Sequence, residues 1–365
     1  MAASPVYQSN RPTVVAIPAR DEADRIEACL CALARQTRYP DAVLLLANNC
    51  IDGTSAVAQA LSVCVPYPLH IRVHTFSEMA ANAGNARRLA TTYAAELAGH
   101  DGILLTTDAD TVVAPDWIER NVLTLAAGAD LVCGRVTVDP TEAALIPTHL
   151  HADDALEREL IRLQDQLAAR LDPDPTDPWP RHTEAAGASL AVTVSAFERA
   201  GGIPAIPFGE DRAFVQALAR MDARIRHDPM ITVTVSGRIH CRAPGGMADT
   251  IRRRMYRQDE FTDANLEPAV DAYRRIDFRR RVRLAWRAQW TGRMPPVELA
   301  PELGIPGAKF RGMLENRFFG AAWAEIEANS PFLVGRRVRF AELPRQIAYA
   351  RQLLEEDAVP DTILT

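Results

Sequence analysis

The chain has 365 residues, 48% of them hydrophobic and 24% charged, with a formal net charge of -6. That length and apolar content allow a full buried core, as one large catalytic domain with additions or as two domains, and the acidic balance excludes general nucleic-acid binding. No apolar run reaches the ~18 residues of a spanning helix, and residues 1–11 lack the charged and apolar regions of a signal peptide, so a cytoplasmic location is expected.

Six cysteines, Cys29, Cys31, Cys50, Cys64, Cys133 and Cys241, form no CxxC pair. They point to neither a zinc ribbon nor a disulfide framework and read as small buried apolar residues. Lys309 is the only lysine, so arginine supplies nearly all the positive charge.

In chain order, TVVAIP (Thr13 to Pro18) is short, apolar and β-branched, then yields to the polar ARDEADRI and a helical pattern through Leu33. The same alternation recurs in AVLLLANN before IDGTSAVAQAL, and in GILLTTDAD after NARRLATTYAAELA. Apolar strands alternating with helices predict an α/β fold with a mainly parallel central sheet flanked by helices. Ligands of such sheets bind beyond the carboxyl ends of the strands. The polar clusters Asp21/Glu22, Asn48/Asn49/Asp52 and Asp108/Asp110 all fall at or just after strand ends, so they are expected to meet at one edge.

Near Leu145 a helical stretch, HADDALERELIRLQDQLAARL, leads into the proline-rich loop DPDPTDPWP. Then come ASLAVTVSAFERAGG, a strand leading to a helix with glycines at its end; IPFGEDRAFVQALARM, an acidic loop opening a helix; and the strand MITVTVSG. From Asp249 the chain is helical and Arg-rich. The expected organisation is a catalytic domain over 1–248, with the insertion near 145–182, and a C-terminal helical region over 249–365.

TTDADT places two carboxylates one residue apart at the end of an apolar strand. They suit Mg²⁺ or Mn²⁺, which grip diphosphate oxygens and neutralise a departing nucleoside diphosphate. A solvated turn is the plain alternative.

Several ordered motifs extend this reading. VVAIPARDE, NNCIDGT, NAGNARRLA, TTDADT and GASLAVTVSAFERAGGIP followed by FGEDRAF resemble, over roughly Pro12 to Gly246, the family-2 glycosyltransferases with the GT-A fold. The resemblance implies a nucleotide-diphospho-sugar donor, UDP- or GDP-linked, and an acceptor the residues do not name. It places Pro18, Arg20 and Glu22 in the first nucleotide-binding loop and Asn48 and Asp52 on the donor nucleoside. It puts Asp108 on the ribose or sugar, with Ala109 between it and the metal ligand Asp110. Asn48 stands where the family has a base-reading aspartate, and an amide both donates and accepts hydrogen bonds where a carboxylate only accepts.

Asn82 and Gly84 either contact the donor or simply start the following helix. Gly187 and Ala188 lie on the acceptor side; His182 is a further acceptor-side candidate, with surface placement as the alternative. Glu210 and Asp211 open a helix, where Asp211 can take the acceptor hydroxyl's proton for an inverting displacement, or where the pair can merely favour a helix start. In SGRIHCRAPGG, Arg238 and Arg242 are directed at anionic donor oxygens. His240 is a third metal ligand by resemblance, or a structural histidine.

Between Ile251 and Arg293 twelve arginines face six acids, with Tyr256, Phe278, Trp286 and Trp290 interleaved. These suit either peripheral contact with anionic lipid at the inner membrane face or a solvated helical face with its aromatics turned inward. The enzymatic alternatives are a retaining GT-A transferase of the glycosylglycerate type and, outside enzymes, a noncatalytic sugar-nucleotide-binding protein. The first strand is not followed by GxGxxG, which ranks a dinucleotide oxidoreductase low.

Overall fold

A computed structural model describes residues 11–239, 247–257, 259–291 and 298–356. The chain divides into two compact units, one of Met1–Ile146, Glu184–Leu218 and Ala223–Arg253, the other of Pro147–Thr183, Ala219–Asp222 and Arg254–Thr365.

The first unit is built on one eight-stranded sheet. Its strands are β1 (Thr13–Ala19), β2 (Ala42–Asn48), β3 (Leu69–His74), β4 (Ile103–Thr106), β5 (Val112–Val113), β6 (Leu131–Val138), β7 (Leu190–Thr193) and β8 (Ile225–Val235), in the order β3-β2-β1-β4-β7-β6-β8-β5. β1 to β4 pair in parallel, β7 is antiparallel to both β4 and β6, β6 and β8 are parallel, and β5 is antiparallel to β8. The sheet is therefore mixed, with six strands sharing one direction. Covering on both faces explains why β2 is buried at every position and apolar up to Asn48, where an alternating pattern would leave one face wet.

The shared direction is what builds a site. β1, β2, β4 and β8 all deliver their carboxyl ends to one edge, and β7, running the other way, begins there because Leu190 pairs with Thr106. Loops after four strands and before a fifth meet at that edge.

Helices α1 (Ile26–Leu33), α2 (Thr54–Leu61), α3 (Ala83–Ala98) and α4 (Trp117–Ala126) belong to this unit, as does the short α5 (Pro140–Ala143). Asn82 is the N-cap of α3, its side chain accepting from Asn85 N at 2.9 Å, which satisfies one of the helix's unpaired donors. Gly84 is buried against the loop ahead of Glu210: a Cβ there would lie 1.8 Å from the Ile206 carbonyl oxygen.

In the second unit, α6 (Thr148–Leu171) packs with helices that follow the sheet in sequence. After α7 (Val194–Arg199), α8 (Glu210–Arg220) and α9 (Met247–Tyr256) come α10 (Ala269–Trp290), α11 (Leu299–Glu302), α12 (Gly307–Leu314), α13 (Phe319–Asn329) and α14 (Leu343–Glu356). Leu160, Leu163 and Leu167 of α6 share a core with Ala269, Leu343, Ile347 and Ala350. A second core joins Phe278 and Val282 of α10 to Phe310, Leu314, Trp323 and Ile326. Asp172, just past α6, takes hydrogen bonds from Arg279 and Arg283 of α10, and Arg283 also stacks on Phe319.

Other α10 arginines pair too, Arg275 with Glu267 and Glu327, Arg280 with Asp277 and Arg281 with Glu302. Phe278 turns inward and Trp290 is exposed, so the interleaved aromatics divide between core and solvent. Among the described residues no helix is long and apolar enough to cross a membrane. Of the cysteines, Cys29 and Cys133 are buried, Cys31 and Cys50 half-buried and Cys64 exposed. The uniform burial expected for them fails at Cys64, which follows α2 on a solvent-facing turn. Cys241 lies outside the described residues.

Gly84→Ala is expected to cost about 1–3 kcal/mol in urea unfolding, because the added methyl overpacks against a backbone carbonyl that cannot rotate away.

Candidate active site

Arg87 sits one turn into α3 and is 7% exposed. It donates from Nε to Glu210 Oε1 at 2.9 Å, from Nη1 to the Gly187 carbonyl at 3.0 Å and from Nη2 to Asp108 Oδ1 at 2.8 Å. One guanidinium thus joins the loop after β4, the turn before β7 and the start of α8. Gly187 lies against it: a Cβ would fall 2.3 Å from Arg87 Cζ, so only glycine leaves room. The Gly187 carbonyl also accepts from Thr106 Oγ1 at 2.6 Å, and its N–H donates to Asp211 Oδ2 at 3.0 Å. Burial would lower the Arg87 pKa, but Asp108, Glu210 and Asp211 outweigh it and the guanidinium is held more firmly charged than usual.

Beside this group lies a second one. Arg238, three residues past β8, makes a two-pronged pair with Glu22, Nη1 to Oε2 at 2.7 Å and Nη2 to Oε1 at 2.6 Å, and its Nη2 is 3.0 Å from Asp110 Oδ2. Burial, then repulsion from Asp108, pushes the Asp110 carboxyl up to about 7; Arg238 opposes the rise and Glu22 adds to it. The backbone that carries Arg238 is anchored from α5. Glu142 accepts from Ser236 Oγ at 2.8 Å and Gly237 N at 2.6 Å and pairs with Arg25. A covered carboxylate crowded by two others is a hard-oxygen donor set that fits a divalent cation.

The remaining loops are held by their own polar groups. Asp52 Oδ1 accepts from Thr54 N at 3.0 Å, and its Oδ2 accepts from Ala23 N at 3.0 Å. Asp21 in turn accepts from Ile51 N at 2.8 Å, so the loops after β1 and β2 are tied reciprocally. Asp21, Cys50 and Asp52 come close enough to hold a metal ion, and backbone N–H groups bond one oxygen of Asp21 and both of Asp52. Asn48 is 3% exposed, while Asn49, at φ 49°, clamps both polar groups of the Phe76 backbone.

This geometry stands beside what is known of other proteins. Residues 14–180 match the family model described as Glycosyl transferase family 2. Over those residues the chain carries a glycosyltransferase family 2 domain. Its sheet and flanking helices are of the GT-A kind. No curated protein matches the chain in sequence.

Among solved structures it is similar to the mannosyltransferase PcManGT from Pyrobaculum calidifontis in complex with GDP-Man and Mn²⁺, at 19% identity over 96% of this chain and 80% of that one, with a TM-score of 0.45. It is also similar to S. aureus TarS 1–349 in complex with UDP, at 12% identity over 94% and 90%, TM-score 0.45. A third is glucosyl-3-phosphoglycerate synthase from Mycobacterium tuberculosis with Mg²⁺ and UDP, at 18% identity over 68% and 79%, TM-score 0.36.

In this glycosyltransferase, Asp108, Gly187, Glu210 and Asp211 gather around Arg87, and Glu22 and Asp110 gather around Arg238. Ala109 and Ala188 are buried beside them in sequence, at 3% and 4% exposure. Pro18 closes on Leu46 within the sheet, and Arg20 donates to the Ala81 carbonyl at 3.3 Å. Asn82 acts as a helix cap and Gly84 as a packing glycine. His240 and Arg242 lie outside the described residues. His182 belongs to the other unit and is 5% exposed, so the surface placement weighed for it is corrected.

Arg87, Arg25 and Glu142 were not singled out from sequence. A signal existed for Arg87 alone, which shares the buried α3 face of Gly84, Ala90, Thr91 and Ala94; a charge in that register has to find partners in the fold.

Arg87→Met is expected to cost about 3–5 kcal/mol in urea unfolding, since it strands Glu210 in the interior. The double variant Arg87→Met/Glu210→Gln should recover at least half of that loss; no recovery would mean the two side chains are not coupled.

A pH dependence follows from Asp110. Its folded-state pKa, about 7, lies above the ordinary 3.8, so its protonation favours the folded state; that contribution is full below 3.8 and is lost as pH rises through 7. Metal-free Asp110→Asn should therefore gain thermal stability relative to wild type as pH rises across that window. A constant difference in melting temperature would contradict this.

Proposed function

We propose that this glycosyltransferase moves a sugar from a UDP- or GDP-linked donor to an acceptor hydroxyl with inversion, using Asp211 as the general base. The observation that carries the reading is the junction at Arg87 and Gly187, which brings the Asp108 carboxylate from the end of β4 together with the acids opening α8. Donor-side and acceptor-side groups then share one sheet edge.

The two acids of α8 divide the work. Glu210 is buried and bonded to Arg87 Nε, so it serves to position. Asp211 is half-buried, and hydrogen bonds from Gly187 N and Arg212 N hold it in place while leaving lone pairs on both oxygens. Its carboxylate takes the acceptor proton as the hydroxyl oxygen bonds to the anomeric carbon. The bond from that carbon to the nucleoside diphosphate breaks on the opposite face, which inverts the centre.

Asp110, with Asp108 close by and His240 as a further candidate, would hold Mn²⁺ or Mg²⁺, which supplies charge neutralisation for the departing diphosphate. Arg238 and Arg242 add positive charge for the same oxygens. Asp52 organises the loop after β2, and the covered Asn48 leaves discrimination between uracil and guanine to groups around it.

Asp211→Asn should bind UDP or GDP with Mn²⁺ as wild type does by calorimetry, while transfer to a panel of alcohol acceptors falls about 10²–10⁴-fold. Undiminished turnover would remove the base role. Retained anomeric configuration in the wild-type product, read by NMR, would remove the inverting mechanism.

A further inference from the structure

Arg238 is the least expected member of the site. An arginine placed to bind donor phosphates would be directed at open space, yet here all three of its short contacts are to carboxylate oxygens of Glu22 and Asp110. Its side chain is 18% exposed, Glu22's 7% and Asp110's 17%, so the contacts are largely screened from water. A carboxylate cluster this covered must be neutralised by something, and in this arrangement the guanidinium does it.

We propose that Arg238 is a resident counter-cation that competes with the divalent ion for Asp110 and Glu22, and that is released toward the donor diphosphate when the ion binds. The inference rests on the reading of Asp110 as a metal ligand. Two features fit it for that exchange. Its backbone is pinned, since Glu142 holds Ser236 and Gly237 and Arg238 N donates to Ser236 Oγ at 3.2 Å. A Cβ on Gly237 would fall 2.6 Å from Val138 Cγ1, so the chain lies close against β6 there. Movement is thereby confined to the side chain, long enough to change partners while its Cα stays in place.

The charge count is also balanced by the exchange. With Glu22 and Asp110 both ionised, they and Arg238 carry one net negative charge; an incoming divalent ion takes over the carboxylates and leaves the guanidinium without a partner just as an anionic diphosphate arrives. Metal and nucleotide would then bind with positive coupling, because each relieves the cost of seating the other.

Calorimetry with MnCl₂ alone, then with UDP and GDP in the presence of Mn²⁺, tests this on wild type, Arg238→Met and Arg238→Lys. In the absence of nucleotide, Arg238→Met should bind Mn²⁺ about tenfold more tightly than wild type, equivalent to about 1.4 kcal/mol, and should bind the nucleotide more weakly. Arg238→Lys, which keeps the charge but not the two-pronged grip, should fall between, and it carries the test if the methionine variant does not fold.

Mn²⁺ affinity unchanged or weakened in both variants, with binding still abolished by Asp110→Asn, would overturn the competition and leave the metal site standing. Absence of Mn²⁺ binding in every protein, with or without nucleotide, would overturn the metal reading and this inference with it.

Discussion

A single buried guanidinium holds the catalytic edge of this protein together. Arg87 reaches the interior because Gly84 lets α3 press against the loop ahead of α8 and because Gly187 leaves room for the flat face of the side chain. Once there, it cannot be left unpaired, and its partners come from three separate stretches of chain: Asp108, Gly187 and Glu210. Each of those stretches contributes something beyond the bond to Arg87. The first also carries Asp110, the second donates to Asp211, and the third is the start of the helix on which Asp211 sits. Removing water from these groups strengthens their mutual attraction and raises the cost of breaking any one of them.

Strand direction explains why such a junction can exist. Parallel strands send their following loops to the same edge, so the loops after β1, β2, β4 and β8 converge without long excursions. Reversal of β7 is equally necessary, because it is the beginning of that strand, next to Thr106, that brings Gly187 under Arg87. A sheet with β7 parallel would deliver Gly187 to the opposite edge. The antiparallel insertion is thus part of how this glycosyltransferase assembles its site.

The second unit solves a different problem. Its helices are rich in arginine, and charge of one sign packed into neighbouring helices repels. Asp172 pairs with both Arg279 and Arg283, Glu267 and Glu327 with Arg275, and Glu302 with Arg281, and Phe319 takes the face of Arg283. The arginines thereby act as packing elements, their alkyl stems lying along apolar surface and their heads on acids.

Local chemistry written along the chain was enough to find the strand–helix alternation, the acidic pair Asp108/Asp110 at a strand end, the helix-opening pair Glu210/Asp211 and the family resemblance. All of these depend on residues close together in sequence: apolar runs, turn residues, two acids side by side. Partnership across the fold could not be read that way. Nothing near Arg87 in sequence announces Glu210, 123 positions on, nor does Arg238 announce Glu22, 216 positions away. The same holds for α6, whose leucines say that one face is buried but not that the covering comes from α10 and α14. Burial and charge pairing at long separation are properties of how elements pack. They came into view only when side chains distant along the chain were brought within a hydrogen bond of one another.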